Sequence, residues 1–395
     1  MAAANLPVHR DRPGIGPIAL SRLVLCEALA AAALLSWYLP SPTPQIVTAT
    51  CVVMIIAVLA IHVRGFGRRL VRYLRMRRFR EGPVEVDTSD DAMTGLAPGL
   101  RLCDVTERNT DYGVAFDGTG WFTVLALRYP DPTAPLGIDP ATLRTLSDVL
   151  LGADRSTYTV QIVGHMVPSP SAEIASDTSA ARSYAELLGD DAVVSHHLTW
   201  LALRLDGRDA AVAAAERGGG AEGARRALVA LTRRLARRLA DAGVPYLPLN
   251  ADSLRVALTH SVSGETISAA LHQRAFEEKK SWKLGALSHV VFGVEGRIAD
   301  IDNLRRLWMS MAVLSTSFST ISVVLRPIGP VSARKGVRLH SLLRVAYDAE
   351  INKAAPDELV RAAAECGVKL WRFDGEQASA TYASAPTGGG SRIRT

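Results

Sequence analysis

The pattern of apolar and polar positions changes character near residue 80. From Ile46 to Val63 (IVTATCVVMIIAVLAIHV) eighteen residues pass without an Asp, Glu, Lys or Arg. A helix crosses the hydrocarbon core with about 17–25 apolar residues, so this run predicts a transmembrane span. Ile18 to Leu39 (IALSRLVLCEALAAAALLSWYL) is apolar apart from Arg22 and Glu27 and predicts another. The uncharged connection Pro40 to Gln45 makes the two a hairpin over residues 18–63, with Trp37 and Tyr38 in the aromatic belt at its far side. A signal peptide is the competing reading of the first span. Against it, no small-residue cleavage site precedes the Pro-rich turn and the second span follows at once.

Beyond residue 98 the pattern alternates between a period of two and a helical period. Strands are expected at 121–129 (WFTVLALRY), 158–167 (YTVQIVGHMV), 197–205 (HLTWLALRL), 287–294, 315–326, 337–347 and 368–373. Helices are expected at 139–151, 179–188, 210–217, 221–242, 301–313 and 357–366. Strands separated by helices of this length predict an α/β domain over 99–383 whose sheet is mixed and largely covered by helices. The strands at 315–326 and 337–347, joined through Pro-Ile-Gly-Pro, are expected to be antiparallel. From Ser384 onward (SAPTGGGSRIRT) the chain is small and polar, which predicts an unpacked tail over 384–395. Residues 1–17 form a short N-terminal tail, and 64–98 a basic juxtamembrane segment and linker.

Charge adds a direction to the hairpin. Between residues 64 and 80 stand Arg64, Arg68, Arg69, Arg72, Arg75, Arg77, Arg78 and Arg80, with no acid among them. Arginines directly after a span mark the cytoplasmic side and suit a basic helix or stalk against anionic membrane lipid. Both termini are therefore expected in the cytoplasm, with the chain in the inner (plasma) membrane. The net charge is +6, but with those eight arginines set aside the rest carries about −2. The basic balance is thus a topology signal and gives no reason to expect nucleic acid. Within the first span Arg22 can snorkel to the headgroups. Glu27 lies deeper, where a carboxylate is costly unless it is protonated or partnered. A contact with Arg22 or with another membrane protein accounts for it, and so does a position shallow enough to reach interfacial water.

Candidate chemistry is sparse. Cys26, Cys51, Cys103 and Cys366 are too scattered for a metal site or disulfide framework. Arg217, Gly218, Gly219 and Gly220 open a literal GxGxxG, but the AAVAAAE before them is helical rather than a strand. The glycines therefore predict a break between two helices, with Gly218 ending one and Ala221 starting the next. Asp300 and Asp302 form a DxD, a pattern that can hold a divalent ion against a diphosphate, and they also stand where a helix cap is expected. His196 and His197 have no Cys or carboxylate at ligand spacing. On 225–239 (RRALVALTRRLARRL) leucines form an apolar stripe and arginine pairs recur, giving a solvated basic face or a dock for an acidic partner. No phosphate loop, GxSxG, HExxH or CxxC occurs. No cofactor or metal is expected.

With the hairpin, the arginine exit, WLALRLD, AAERGGGAEGARRAL and RLADAGVPYLPLNADSLRVAL in that order, the chain resembles EccE, a membrane component of mycobacterial type VII (ESX) secretion systems. Its most distinctive element is the arginine before three glycines, Arg217 to Gly220. The resemblance implies a structural subunit of an inner-membrane core assembled with EccB, EccC and EccD, in which EccC is the ATPase. It also implies a cytoplasmic domain similar in fold to glycosyltransferases without their chemistry. The expected function is thus a non-enzymatic subunit that supports protein export through cytoplasmic contacts, without a small-molecule substrate. The alternative is a membrane-anchored sugar-nucleotide transferase using Asp300 and Asp302.

Overall fold

Charge-free Pro44–Ala60 forms helix α1 of seventeen residues, in a computed structural model that describes residues 14–15, 18–19, 29–31, 34, 44–60, 79, 82–86, 92–128, 145–148, 158–169, 179, 183, 186, 193–264, 273–295, 301–328 and 336–390. The chain divides into two compact units, one over His9–Gly82 and one over Pro83–Thr395. In the first unit the residues of the expected second span are helical as far as Ala60, and residues 61–63 lie outside the described residues. Val52, Val53 and Met54 on α1 are exposed. Among the described residues, no helix is long and apolar enough to cross a membrane. In the expected first span, residues 29–31 and 34 are helical. Its start is not helical: Ile18–Ala19 pairs antiparallel with Gly14–Ile15. Arg22, Glu27, Trp37, Tyr38 and the eight arginines of 64–80 lie outside the described residues, so the hairpin rests on the sequence pattern.

The second unit is built on one sheet. Its elements in order are β1 (Val84–Val86), α2 (Ala92–Leu96), β2 (Arg101–Glu107), β3 (Thr110–Phe116), β4 (Gly120–Leu127), β5 (Thr159–Ser169) and β6 (Val193–Asp206). Then come α3 (Gly207–Ala215), α4 (Gly220–Asp241), β7 (Tyr246–Pro248), α5 (Ala251–Ser263), β8 (Ala275–Glu277), β9 (Trp282–Leu284) and β10 (Leu287–Val294). The chain continues through α6 (Ile301–Ala312), β11 (Phe318–Ile328), β12 (Gly336–Asp348), α7 (Ala355–Glu365), β13 (Leu370–Arg372) and α8 (Gln377–Ser384). The strand order is β1-β8-β9-β10-β12-β11-β5-β6-β4-β3-β2, with β13 also on β10 and β7 also on β4.

Eleven of the sequence-predicted strands and helices recur here within a few residues of their expected bounds, and β11 and β12 pair antiparallel from Phe318–Ala346 to Ile328–Gly336. The expected mixed sheet is corrected: every strand pair among the described residues is antiparallel. The reason lies in the crossovers. Helix α6 joins β10 to β11, but β12 inserts between those two strands, so strands that run the same way never become neighbours. In the same manner β6 inserts between β4 and β5.

These two arrangements are a structural repeat. Strands β4 and β10 have 8 residues each, β5 and β11 have 11 each, and β7 and β13 have 3 each. In both halves the next strand but one hairpins back into the gap, helix follows (α3 and α4 in one half, α7 in the other), a short strand returns to the first strand, and a further helix ends the unit. The halves meet where β5 pairs β11, from Val160–Leu325 to Met166–Ser319.

Side chains alternate across the sheet because successive residues of a strand point to opposite faces. On one face Leu125, Ile162, Leu203, Ile321 and Leu343 pack with α3, α4, α6 and α7. On the other face Phe122, Val163, Trp200 and Ala202 pack with α2, α5 and α8, and Val291 and Leu342 join Ala380 and Ala383 of α8. The tail expected to stay unpacked is corrected as far as Gly390. Ser384 and Thr387 are fully buried, because backbone and hydroxyl groups find polar partners under this second face.

Candidate functional site

The second face of the sheet carries polar side chains where an apolar strand would continue. Arg204 stands in LALRLD on β6, Gln161 in TVQIVG on β5 and Arg344 in LLRVAY on β12, all fully buried. Burying a charge is costly unless it is paired, so what each one meets decides its role.

Arg204 is matched. Its Nη1 donates to Asp117 Oδ2 at 2.8 Å, its Nε to Asp206 Oδ1 at 2.7 Å and its Nη2 to Thr119 Oγ1 at 2.7 Å. Tyr382 of α8 donates to Asp117 Oδ2 at 2.9 Å. Burial alone would raise the Asp117 carboxyl, but the hydrogen bonds and charge of Arg204, with Thr119, hold it at about 2. Burial and the neighbouring Asp117 push the Tyr382 phenol well above its ordinary value, so it stays protonated as a donor. Beside this pair Gln161 clasps the tail. Its Nε2 donates to the carbonyls of Ala383 at 2.8 Å and Ala385 at 3.0 Å, and its Oε1 accepts from the amides of Gly388 at 2.6 Å and Gly389 at 2.9 Å. Gly388 has φ +78°, and a Cβ there would fall 2.3 Å from Arg204 Cβ, so glycine is required by both conformation and space.

Arg344 is not matched. Its Nη2 donates to the Ser261 carbonyl of α5 and to Thr320 Oγ1, while Nε and Nη1 have no partner. Burial lowers its pKa to about 9, which leaves it charged at neutral pH. The Phe318 ring lies 5.8 Å from the guanidinium carbon, 4.6 Å from the His165 ring and 5.8 Å from the His289 ring. Both imidazoles are fully buried, and burial first, with Arg344 adding to it, pushes their pKa values well below the ordinary range. They are neutral donors at physiological pH. Helix α5 covers this group because Asn250 caps its start, accepting from the Ser253 amide at 2.9 Å, and Asp104 accepts from the Ala251 amide at 2.7 Å.

Apart from His196 and His197, the residues singled out in the sequence fall elsewhere. Gly218, Gly219 and Gly220 have φ of 91°, 73° and 63° and break α3 from α4, as the pattern predicted. Left-handed backbone of this kind is what glycine permits. Arg217 donates from Nη1 to the Ala213 carbonyl at 3.2 Å, so it caps the end of α3 and reaches neither polar group of the sheet. Asp302 lies in the first turn of α6, and Asp300 is outside the described residues. His196 is exposed and His197 half-buried on β6, and both lie close enough to His165 to oppose its protonation. On α4 the buried stripe is Leu228, Leu231, Leu235 and Leu239, and Arg234, Arg237 and Arg238 face solvent. Among the described residues no group of three His, Cys, Asp or Glu could hold a metal ion. Arg344, Arg204 and Gln161 were missed by motif reading. The available signal was a long polar side chain at an inward position of a strand otherwise apolar on that face.

Residues 193–294, from β6 to β10, match the family model described as "Putative type VII ESX secretion system translocon, EccE". No curated protein matches the chain. The family match supports the EccE resemblance and a component of a type VII secretion system.

Proposed function

We propose, with the EccE match over residues 193–294 as premise, that the chain is a non-enzymatic structural subunit of a type VII secretion membrane complex. The match carries this reading. In it, residues 18–63 anchor the chain as a hairpin with both termini in the cytoplasm, and the arginines of 64–80 lie against anionic lipid. The sheet domain is then a rigid body that contacts other subunits, the counterparts of EccB, EccC and EccD. Its two-sided packing supports a scaffold, because both faces of the sheet are covered by helices. The solvent-facing Arg234, Arg237 and Arg238 of α4 offer a basic stripe to an acidic surface of a neighbouring subunit.

Deletion of the chain is expected to lower secretion of substrates of the system and to loosen the complex isolated in mild detergent. A chain carrying Asp300→Ala and Asp302→Ala is expected to join the complex and secrete normally. If that variant assembles but no longer supports export, the non-enzymatic reading fails. Replacing Arg234, Arg237 and Arg238 with Glu is expected to weaken co-purification of a neighbouring subunit without unfolding the domain.

A further inference from the structure

The fold repeat relates two places on the second face of the sheet. Gln161 is the third residue of β5 and Thr320 the third of β11; Ala202 is fifth from the end of β6 and Arg344 fifth from the end of β12. In one half, Gln161 is met by the tail, whose Gly388 and Gly389 amides it accepts. In the other half, the corresponding place holds Arg344 and Thr320, and among the described residues no carboxylate accompanies them. The fold has thus filled one of two related positions with its own backbone, and the other presents a buried cation.

We propose that Arg344, with His165 and His289 around Phe318, forms a binding site for a small oxyanion of the phosphate class. Arg344 keeps Nε and Nη1 without partners, His289 has neither ring nitrogen partnered, and His165 Nε2 is likewise unmatched. All three side chains are fully buried. Buried donors of this kind are ordinarily matched, and a fully buried charge without a counterion is costly. The donors outnumber what two carboxylate oxygens accept, and a tetrahedral oxyanion accepts along more directions. This site owes nothing to the membrane hairpin or to the contacts of the secretion complex, and stands or falls independently of them.

The test uses the full-length chain in detergent at pH 7.5, with sodium phosphate titrated against sodium chloride at constant ionic strength and thermal unfolding as the readout. A saturable rise in the unfolding midpoint with phosphate is expected, with little response to acetate. In Arg344→Met the phosphate response is expected to vanish, and in His289→Phe the phosphate concentration for half effect is expected to rise several-fold. No phosphate-specific rise in the unaltered chain overturns the proposal, and so does an unchanged response in Arg344→Met. Should Arg344→Met fail to fold, His289→Phe decides: an unaltered half-effect concentration in it overturns the site.

Discussion

Asp117 and Arg204 form an ion pair at 2.8 Å with both side chains almost sealed from solvent. Asp117 follows β3 and Arg204 lies on β6, with β4 between the two strands, so the pair ties a turn to the strand one place further in. Tyr382 then fastens α8 to the same carboxylate across 265 positions of sequence. Asp117→Asn keeps the shape and removes the charge, leaving Arg204 with only the half-exposed Asp206. Breaking a buried pair from one side costs about 3–5 kcal/mol, and urea unfolding of the variant is expected to show a loss of that order.

Ending the chain after Tyr382 removes the carbonyls and amides that Gln161 engages, and strips the cover from Arg204. A tail without a structural role would leave stability unchanged. Here the truncated chain is expected to unfold at markedly lower temperature. Gln161→Leu leaves the Gly388 and Gly389 amides buried without an acceptor, at about 1–3 kcal/mol for each unmatched group. A truncated chain with the original midpoint would remove the tail from the core.

Gly164 sits where α6 presses Trp308 onto β5: a Cβ at Gly164 would fall 2.0 Å from Trp308 Cζ2. Gly164→Ala is therefore expected to cost about 1–3 kcal/mol through overpacking. Trp308→Phe in the same chain withdraws the far ring of the indole and is expected to return part of that loss. Equal losses from Gly164→Ala with and without Trp308→Phe would show that the two do not press on each other.

Acid is expected to weaken the domain through its buried imidazoles. Burial lowers His165 and His289 well below 6.5, and lowers His197 to about 4. The groups facing His165 are His260, Arg344, His196 and His197, all of which oppose its protonation. With the folded pKa below the unfolded one, the unfolded chain takes up more protons as pH falls below 6.5. Stability is therefore present above about 6.5 and lost as pH falls toward the folded values. Urea midpoints measured from pH 7.5 to 5 are expected to decline, and His165→Phe is expected to flatten that decline. Equal midpoints across the range in the unaltered chain would contradict the burial of these rings.

The local alphabet of the chain was readable without coordinates. Runs of β-branched and aromatic residues in GWFTVLAL and LSHVVFGV mark β4 and β10, the leucine stripe marks α4, and three glycines after Arg217 stop one helix and start another. These follow from interactions within a few residues, and a polar-apolar period records them directly. The short β8 and β9, the hairpin of β2 and β3 and helix α8 carry weaker periods and were not expected. Strand order, the repeat of the two halves and the burial of Gly388 beside Arg204 depend on which distant edges meet, as in the contact between Gln161 and Ser322 across 161 positions. A strand's own pattern states that one face is apolar, but it does not state which strand lies beside it. For that reason a small polar tail read as unpacked became the filling of one half of the sheet, and an arginine read as one more residue of a strand became the unmatched cation of the other.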